Sequence, residues 1–102
     1  MSYNTPEGKI KKKVVEVLKA HGVWYFFPAN NGFGVAGIPD IIVVVKGQFL
    51  GIEVKADKSK KPTALQVQCG AKIQKAGGWW MVVYDQDTID QLDVVIKEKL
   101  YR

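Results

Sequence analysis

Two carboxylates and one ammonium carry the chemistry this sequence can do. Asp40 opens a β-branched run, and Glu53 and Lys55 lie two apart in an alternating segment further on. Residues i and i+2 of a strand project from the same face, about 7 Å apart. Two carboxylates beside an open cleft suit Mg²⁺ or Mn²⁺, which take oxygen ligands, and Mg²⁺ usually keeps several waters. A cation held there lowers the pKa of a bound water and stabilises charge on a phosphoryl oxygen. A neighbouring lysine orients that water and the phosphate. The alternative is structural: Asp40 paired with Lys55 at a strand end, with Glu53 solvated.

The hairpin between the two segments decides whether Asp40 joins the others. Lys46-Gly47-Gln48 supplies the turn. A two-residue loop of Gly47-Gln48 sets Asp40 opposite Lys55. A loop of Lys46-Gly47 sets it opposite Glu53. A four-residue loop, Lys46 to Phe49, also keeps Asp40 on that face, and an odd-length loop turns it away. The turn residues favour a short even loop.

The elements that must position these groups are legible along the chain. Thr5-Pro6-Glu7 starts a helix, with Thr5 as cap and Pro6 in the first turn. Ile10, Val14, Val17 and Leu18 recur at helical spacing, and His21-Gly22 ends the helix, with His21 near its C-terminal carbonyls. Val23 to Phe27 reads as a strand stopped by Pro28, and Ala29 to Pro39 as a glycine-rich loop. Asp40 to Val45 has the character of a strand buried on both faces. In Phe49 to Ala56, Leu50, Ile52 and Val54 point one way, and Phe49, Gly51, Glu53 and Lys55 the other. Pro62-Thr63 opens a second helix with an apolar stripe of Leu65, Cys69, Ile73 and Ala76, and Gly77-Gly78 stops it. Trp79 to Tyr84 is a fourth strand with one face in the core, and Asp87 caps a last helix carrying Ile89, Leu92 and Ile96. The order α-β-β-β-α-β-α predicts an α/β fold, a mixed sheet flanked by helices.

Gly37-Ile38-Pro39-Asp40, then twelve residues, then Glu53-Val54-Lys55 resembles the PD-(D/E)XK nuclease signature. The element order matches the restriction-endonuclease-like core of that superfamily. Within it, the sequence resembles the VRR-NUC family: Gly-x-Pro-Asp before a hydrophobic strand, a Glu-Val-Lys strand, and a glutamine, Gln66, at the start of the next helix. The resemblance covers roughly Lys9 to Asp85. It implies a metal-dependent phosphodiesterase in which Asp40, Glu53 and the backbone carbonyl of Val54 bind Mg²⁺ or Mn²⁺, and Lys55 assists the attacking water. A glutamate on the first helix often completes such a site, and Glu16 is the candidate. Stand-alone members look like Holliday junction resolvases, which implies a homodimer acting on branched DNA.

Two of these residues have ordinary alternatives. Glu16 sits at the margin of the first helix's apolar stripe and follows Lys12 and Lys13 at helical spacing, so an exposed ion pair also accounts for it. Thr63-x-x-Gln66 is a capping-box pattern, so capping alone can fix Gln66.

Gly32-Phe33-Gly34-Val35-Ala36-Gly37 spells G-x-G-x-x-G, but no helix opens within it, so a dinucleotide site is rejected. A flexible loop that lets a nucleic-acid backbone approach the cation fits better, with Asn30 and Gly34 as contacts. Lys58, Lys60 and Lys61 follow the Glu-Val-Lys strand and suit phosphate contact. Lys9, Lys11, Lys12 and Lys13 read as a solvated helix face.

Composition sets the outer limits. The 102 residues make one small domain spanning 1–102, with a formal charge of +5 that favours a polyanionic partner. The lone Cys69 excludes an internal disulfide framework. No signal-peptide core or membrane-length apolar run is present, which predicts a cytoplasmic chain with no membrane partner, of a size that suits a phage or bacterial gene. The function expected is a metal-dependent DNA endonuclease. The alternatives are a flap or duplex nuclease needing a partner, and a non-catalytic nucleic-acid-binding module on the same fold.

Overall fold

The computed structural model describes residues 3–29 and 36–100. Lys46 and Gly47 have φ of 49° and 80°. Two successive positive φ angles make the type I′ turn, whose twist matches that of paired strands. The turn joins β2 (Ile41–Val45) to β3 (Gln48–Val54), and the antiparallel register runs from Val45↔Gln48 to Ile41↔Ile52. One step further along that register Asp40 faces Glu53. The two-residue Lys46-Gly47 loop is therefore the one adopted.

Around this hairpin the order is α1 (Pro6–His21), β1 (Trp24–Phe26), β2, β3, α2 (Ala64–Lys75), β4 (Trp79–Val83) and α3 (Gln86–Val94), the last continuing as a π-helical segment, Val95–Leu100. The sheet order is β1-β2-β3-β4. The first two pairings are antiparallel and β3–β4 is parallel, with α2 as the crossover. This is the mixed, helix-flanked sheet expected.

The two sheet faces differ. Ile41, Val43 and Val45 of β2 and Leu50, Ile52 and Val54 of β3 form one core with Val14 and Leu18 of α1 and with Ile89, Leu92, Ile96 and Leu100. Each such side chain contributes roughly 1.5–3 kcal/mol when fully buried. That burial on one face of β3 offsets the cost of holding Glu53 dry on the other.

On the reverse face α2 lies close. A Cβ on Gly70 would come within 2.3 Å of the Trp80 ring, and one on Gly51 within 2.7 Å of Pro39 and 3.3 Å of Ile73. The inward face of α2 is thus Cys69, Gly70 and Ile73, and Leu65 and Ala76 of the expected stripe are exposed. Glycine escaped that stripe because it adds no apolar mass. Its value here is the room it leaves for an indole.

Two caps also differ from expectation. Asp85 caps α3 in place of Asp87, accepting from the Thr88 amide, while the Thr88 hydroxyl accepts from the Asp85 amide. Gly22, with φ of 66°, ends α1, and His21 instead reaches across to Asp93 of α3, Nε2 to Oδ1 at 2.6 Å. Among the described residues no helix is long and apolar enough to cross a membrane.

Candidate active site

The Gly37-Ile38-Pro39-Asp40 segment is fitted between α2 and β3. Gly37 has φ of 77°, and a Cβ there would lie 2.2 Å from the Leu65 carbonyl oxygen in the first turn of α2. Pro39 is buried over Gly51 of β3. These two contacts deliver Asp40 to the end of the hairpin, beside the start of α2. Asp40 Oδ2 accepts the Val54 backbone N–H at 2.8 Å, which fixes the carboxylate against the strand that carries Glu53.

Glu53 is 1% exposed. Its Oε1 accepts from Gln66 Nε2 at 3.0 Å. Its Oε2 is buried with no hydrogen-bond partner among the described residues. Burial and the adjacent Asp40 carboxyl push its pKa from 4.5 up to about 8, and Lys55 pulls the other way without prevailing. Two carboxyl groups this close cannot both ionise readily without a cation between them or a proton shared by them.

Gln66 both closes the cap of α2 and bonds to Lys55 and Glu53. Its Oε1 accepts from the Thr63 amide at 2.8 Å, and its own amide donates to the Thr63 hydroxyl at 3.2 Å, closing the capping box of α2. The same Oε1 accepts from Lys55 Nζ at 3.0 Å while Nε2 holds Glu53. A carbonyl oxygen has two lone pairs, so it serves both donors. Lys55, Gln66 and Glu53 are thus joined in one chain.

Glu16 is exposed on α1, as is Glu7. The α1 carboxylate that raises Glu53 is Glu7, in the first helical turn. Nine residues separate the two, about 13 Å along the axis. The signal for Glu7 was in the sequence: an acidic residue just after the Thr5 cap marks the positive end of the helix.

Lys58, Lys60 and Lys61 are exposed on the loop that leaves β3 past Lys55. That loop is shaped by Asp57, whose carboxylate accepts from the Ser59 amide at 2.8 Å and from the Ser59 hydroxyl. Those bonds lower its pKa. Asn30 and Gly34 lie outside the described residues.

The donor set fits a hard divalent cation. It offers two carboxyl groups, one with a buried oxygen lacking a partner. Among the described residues no cluster of three or more His, Cys, Asp or Glu forms a closed metal cage. Mg²⁺ binds in such open sites through one or two carboxylates and retained waters.

No family model matches the sequence, and no curated protein matches it. A solved structure described as a VRR_NUC domain is similar, with a TM-score of 0.77 and 27% sequence identity over 93% of this chain and 98% of that one. Its order of strands and helices is the one found here, and the resemblance read from Asp40, Glu53, Lys55 and Gln66 points to the same family. In fold and in likeness this chain is similar to a VRR_NUC domain, a likeness that supports a nuclease domain.

Proposed function

We propose that this domain is a metal-dependent endodeoxyribonuclease that hydrolyses phosphodiester bonds in branched DNA, four-way junctions among them, and that it works as a pair of identical copies. One observation carries the reading. Glu53 is buried with an unsatisfied oxygen beside Asp40 and is joined through Gln66 to Lys55. A module that only bound DNA would gain nothing from carboxylates facing phosphate, which repel it.

In the proposed site Asp40, Glu53 and the carbonyl of Val54 would hold Mg²⁺ or Mn²⁺. When bound, the cation supplies a water of lowered pKa and a positive charge for the phosphoryl oxygens. Lys55 Nζ donates to the attacking water and to a phosphate oxygen, and Gln66 Oε1 keeps that ammonium aimed. The supporting carboxylate from the first helix is Glu16 or Glu7, and Glu7 is the one whose charge raises the Glu53 pKa. Lys58, Lys60 and Lys61 hold flanking phosphates, each neutralised phosphate making binding more sensitive to salt. Two cuts in a symmetric junction call for two sites related by a two-fold axis, which a homodimer provides.

Labelled four-way junction, flap and duplex DNA, incubated with Mg²⁺, Mn²⁺ or EDTA, tests the reading. Cutting that needs the metal and disappears in folded Lys55→Ala and Asp40→Asn variants is the expected result. Tight DNA binding with no cleavage of any substrate by wild type would leave the binding module as the better account.

A further inference from the structure

The sheet face that carries Asp40 and Glu53 is only half covered. Helix α2 lies over β3 and β4, where Gly70 meets Trp80 and Ile73 meets Gly51. Among the described residues no helix lies over the Trp24–Val44 end of β1 and β2, although Ile42 on the same face is buried. Trp24 is 62% exposed and Phe26 42%, with ring centroids 5.4 Å apart and planes tilted by 50°. Tyr25 between them packs into the core on the other side.

The register places this ledge relative to the carboxylates. Trp24 pairs with Val44, and Val44 with Phe49, giving one cross-strand row. Phe26 pairs with Ile42, and Ile42 with Gly51, giving the next. Asp40 and Glu53 form the row after that. Phe26 is then two strands and one row from Glu53, roughly 12 Å at ordinary strand spacings. Lys55 continues the same line beyond Glu53, and the loop with Lys58, Lys60 and Lys61 follows it in sequence. Aromatic ledge and carboxylates follow one another along one face, and the basic loop comes next in the chain.

We propose that Trp24 and Phe26 form a stacking platform for unpaired bases next to the scissile phosphate. This rests on the nuclease reading and sharpens its substrate to DNA with a single-stranded or splayed segment on the β1 side of the cut. Three observations favour bases as the occupant. The chain carries a formal charge of +5, which favours a polyanionic ligand. The outermost groups are aromatic faces, on which any base can stack. The exposed parts of Trp24, Phe26, Val44 and Phe49 amount to roughly 400 Å², taking about 150–250 Å² for a whole aromatic side chain. That is about half of the ~800 Å² each partner gives to a stable dimer.

The test uses the full chain in EDTA, so that nothing is cut. Binding of labelled oligo-dT and of a duplex of equal length is measured by anisotropy, with quenching of protein tryptophan emission. Trp24→Ala and Trp24→Leu are compared with wild type; the leucine keeps an apolar contact and removes the π-face. Both variants are expected to weaken oligo-dT binding about five- to a hundred-fold, the range for one lost base stack, and to leave duplex binding within about two-fold. Equal losses on both DNAs, full binding by Trp24→Leu, or no oligo-dT binding by wild type would overturn the platform. So would a dimer in sedimentation that Trp24→Ala dissociates while oligo-dT binding is unchanged, which would assign the face to a second copy. Metal-dependent cutting by a protein without the stacking effect removes the platform alone. The stacking effect in a protein that never cuts removes the activity alone.

Discussion

The carboxylate of Asp40 accepts the backbone N–H of Val54 at 2.8 Å, so a residue proposed to bind the cation is also the last rung of the β2–β3 ladder. Asparagine keeps a carbonyl acceptor at that place and alanine does not. Asp40→Ala should cost about 1–3 kcal/mol of stability, the penalty of a buried donor left unmade. Asp40→Asn should stay within about 1 kcal/mol of wild type. Both should lose about a hundred-fold or more in cleavage, since a preorganised charge is gone from each. Urea titration beside the cleavage assay separates the two effects.

Glu53 sets a pH dependence. Its pKa is pushed up from 4.5 to about 8 in the fold, so between these values the folded state holds a proton that the unfolded state has released. Stability from this group is complete below about pH 4.5 and is lost as pH rises through about 8. The metal-free protein should melt more than about 5 °C lower at pH 8 than at pH 5. Glu53→Gln should flatten that slope. Adding Mg²⁺ should raise the melting temperature more at pH 8 than at pH 6, because the ligand must be ionised to bind. Scanning calorimetry at several pH values, with and without Mg²⁺, reads all three.

Gln66 links the cap of α2 to both charged partners, and two substitutions take the roles apart. Gln66→Ala should cost about 1–3 kcal/mol, losing part of the capping box and leaving Glu53 Oε1 unpartnered. Gln66→Glu keeps an acceptor for Thr63 and Lys55, so the helix start should survive. It also sets a carboxylate against Glu53 Oε1, so Glu53 should hold its proton to higher pH and the pH optimum of cleavage should move up. An unchanged pH profile in Gln66→Glu would reduce Gln66 to a cap.

Glycines at the two closest approaches should resist any side chain. Gly70→Ala drives a methyl into the Trp80 ring at 2.3 Å, and Gly37→Ala meets the Leu65 carbonyl at 2.2 Å from a backbone already at φ of 77°. Each should destabilise by about 1–3 kcal/mol or more. Gly37→Ala should also reduce cleavage beyond its effect on folding, since it pushes on the turn that carries Gln66. Activity compared at temperatures where both variants are fully folded checks this.

The element order, the sheet type and the convergence of Asp40, Glu53, Lys55 and Gln66 were legible in the sequence, because period-two alternation and turn chemistry are local signals. The hairpin register was narrowed to a few choices and not to one. Lys46 at positive φ has none of the asparagine or glycine character that marks the first position of a type I′ turn. The seating of α2 was hidden because a stripe counted by apolar residues selects Leu65 and passes over Gly70. Glu7, whose charge reaches Glu53, read only as part of a helix start, because helical spacing says which face a residue is on and nothing about which end of the helix meets the sheet. The aromatic half of the sheet was equally hidden, since reading Val23 to Phe27 as a strand does not say which of its faces a helix covers.

The contact between Gly70 and the Trp80 ring has an optical consequence. An indole pressed on a helix backbone changes its emission when the helix lifts, and the first turn of that helix carries Gln66. Trp80 fluorescence, isolated in a chain with Trp24 and Trp79 replaced by phenylalanine, therefore becomes a gauge of whether the bridge from Lys55 to Glu53 is closed. It can be followed in real time as substrate or cation arrives.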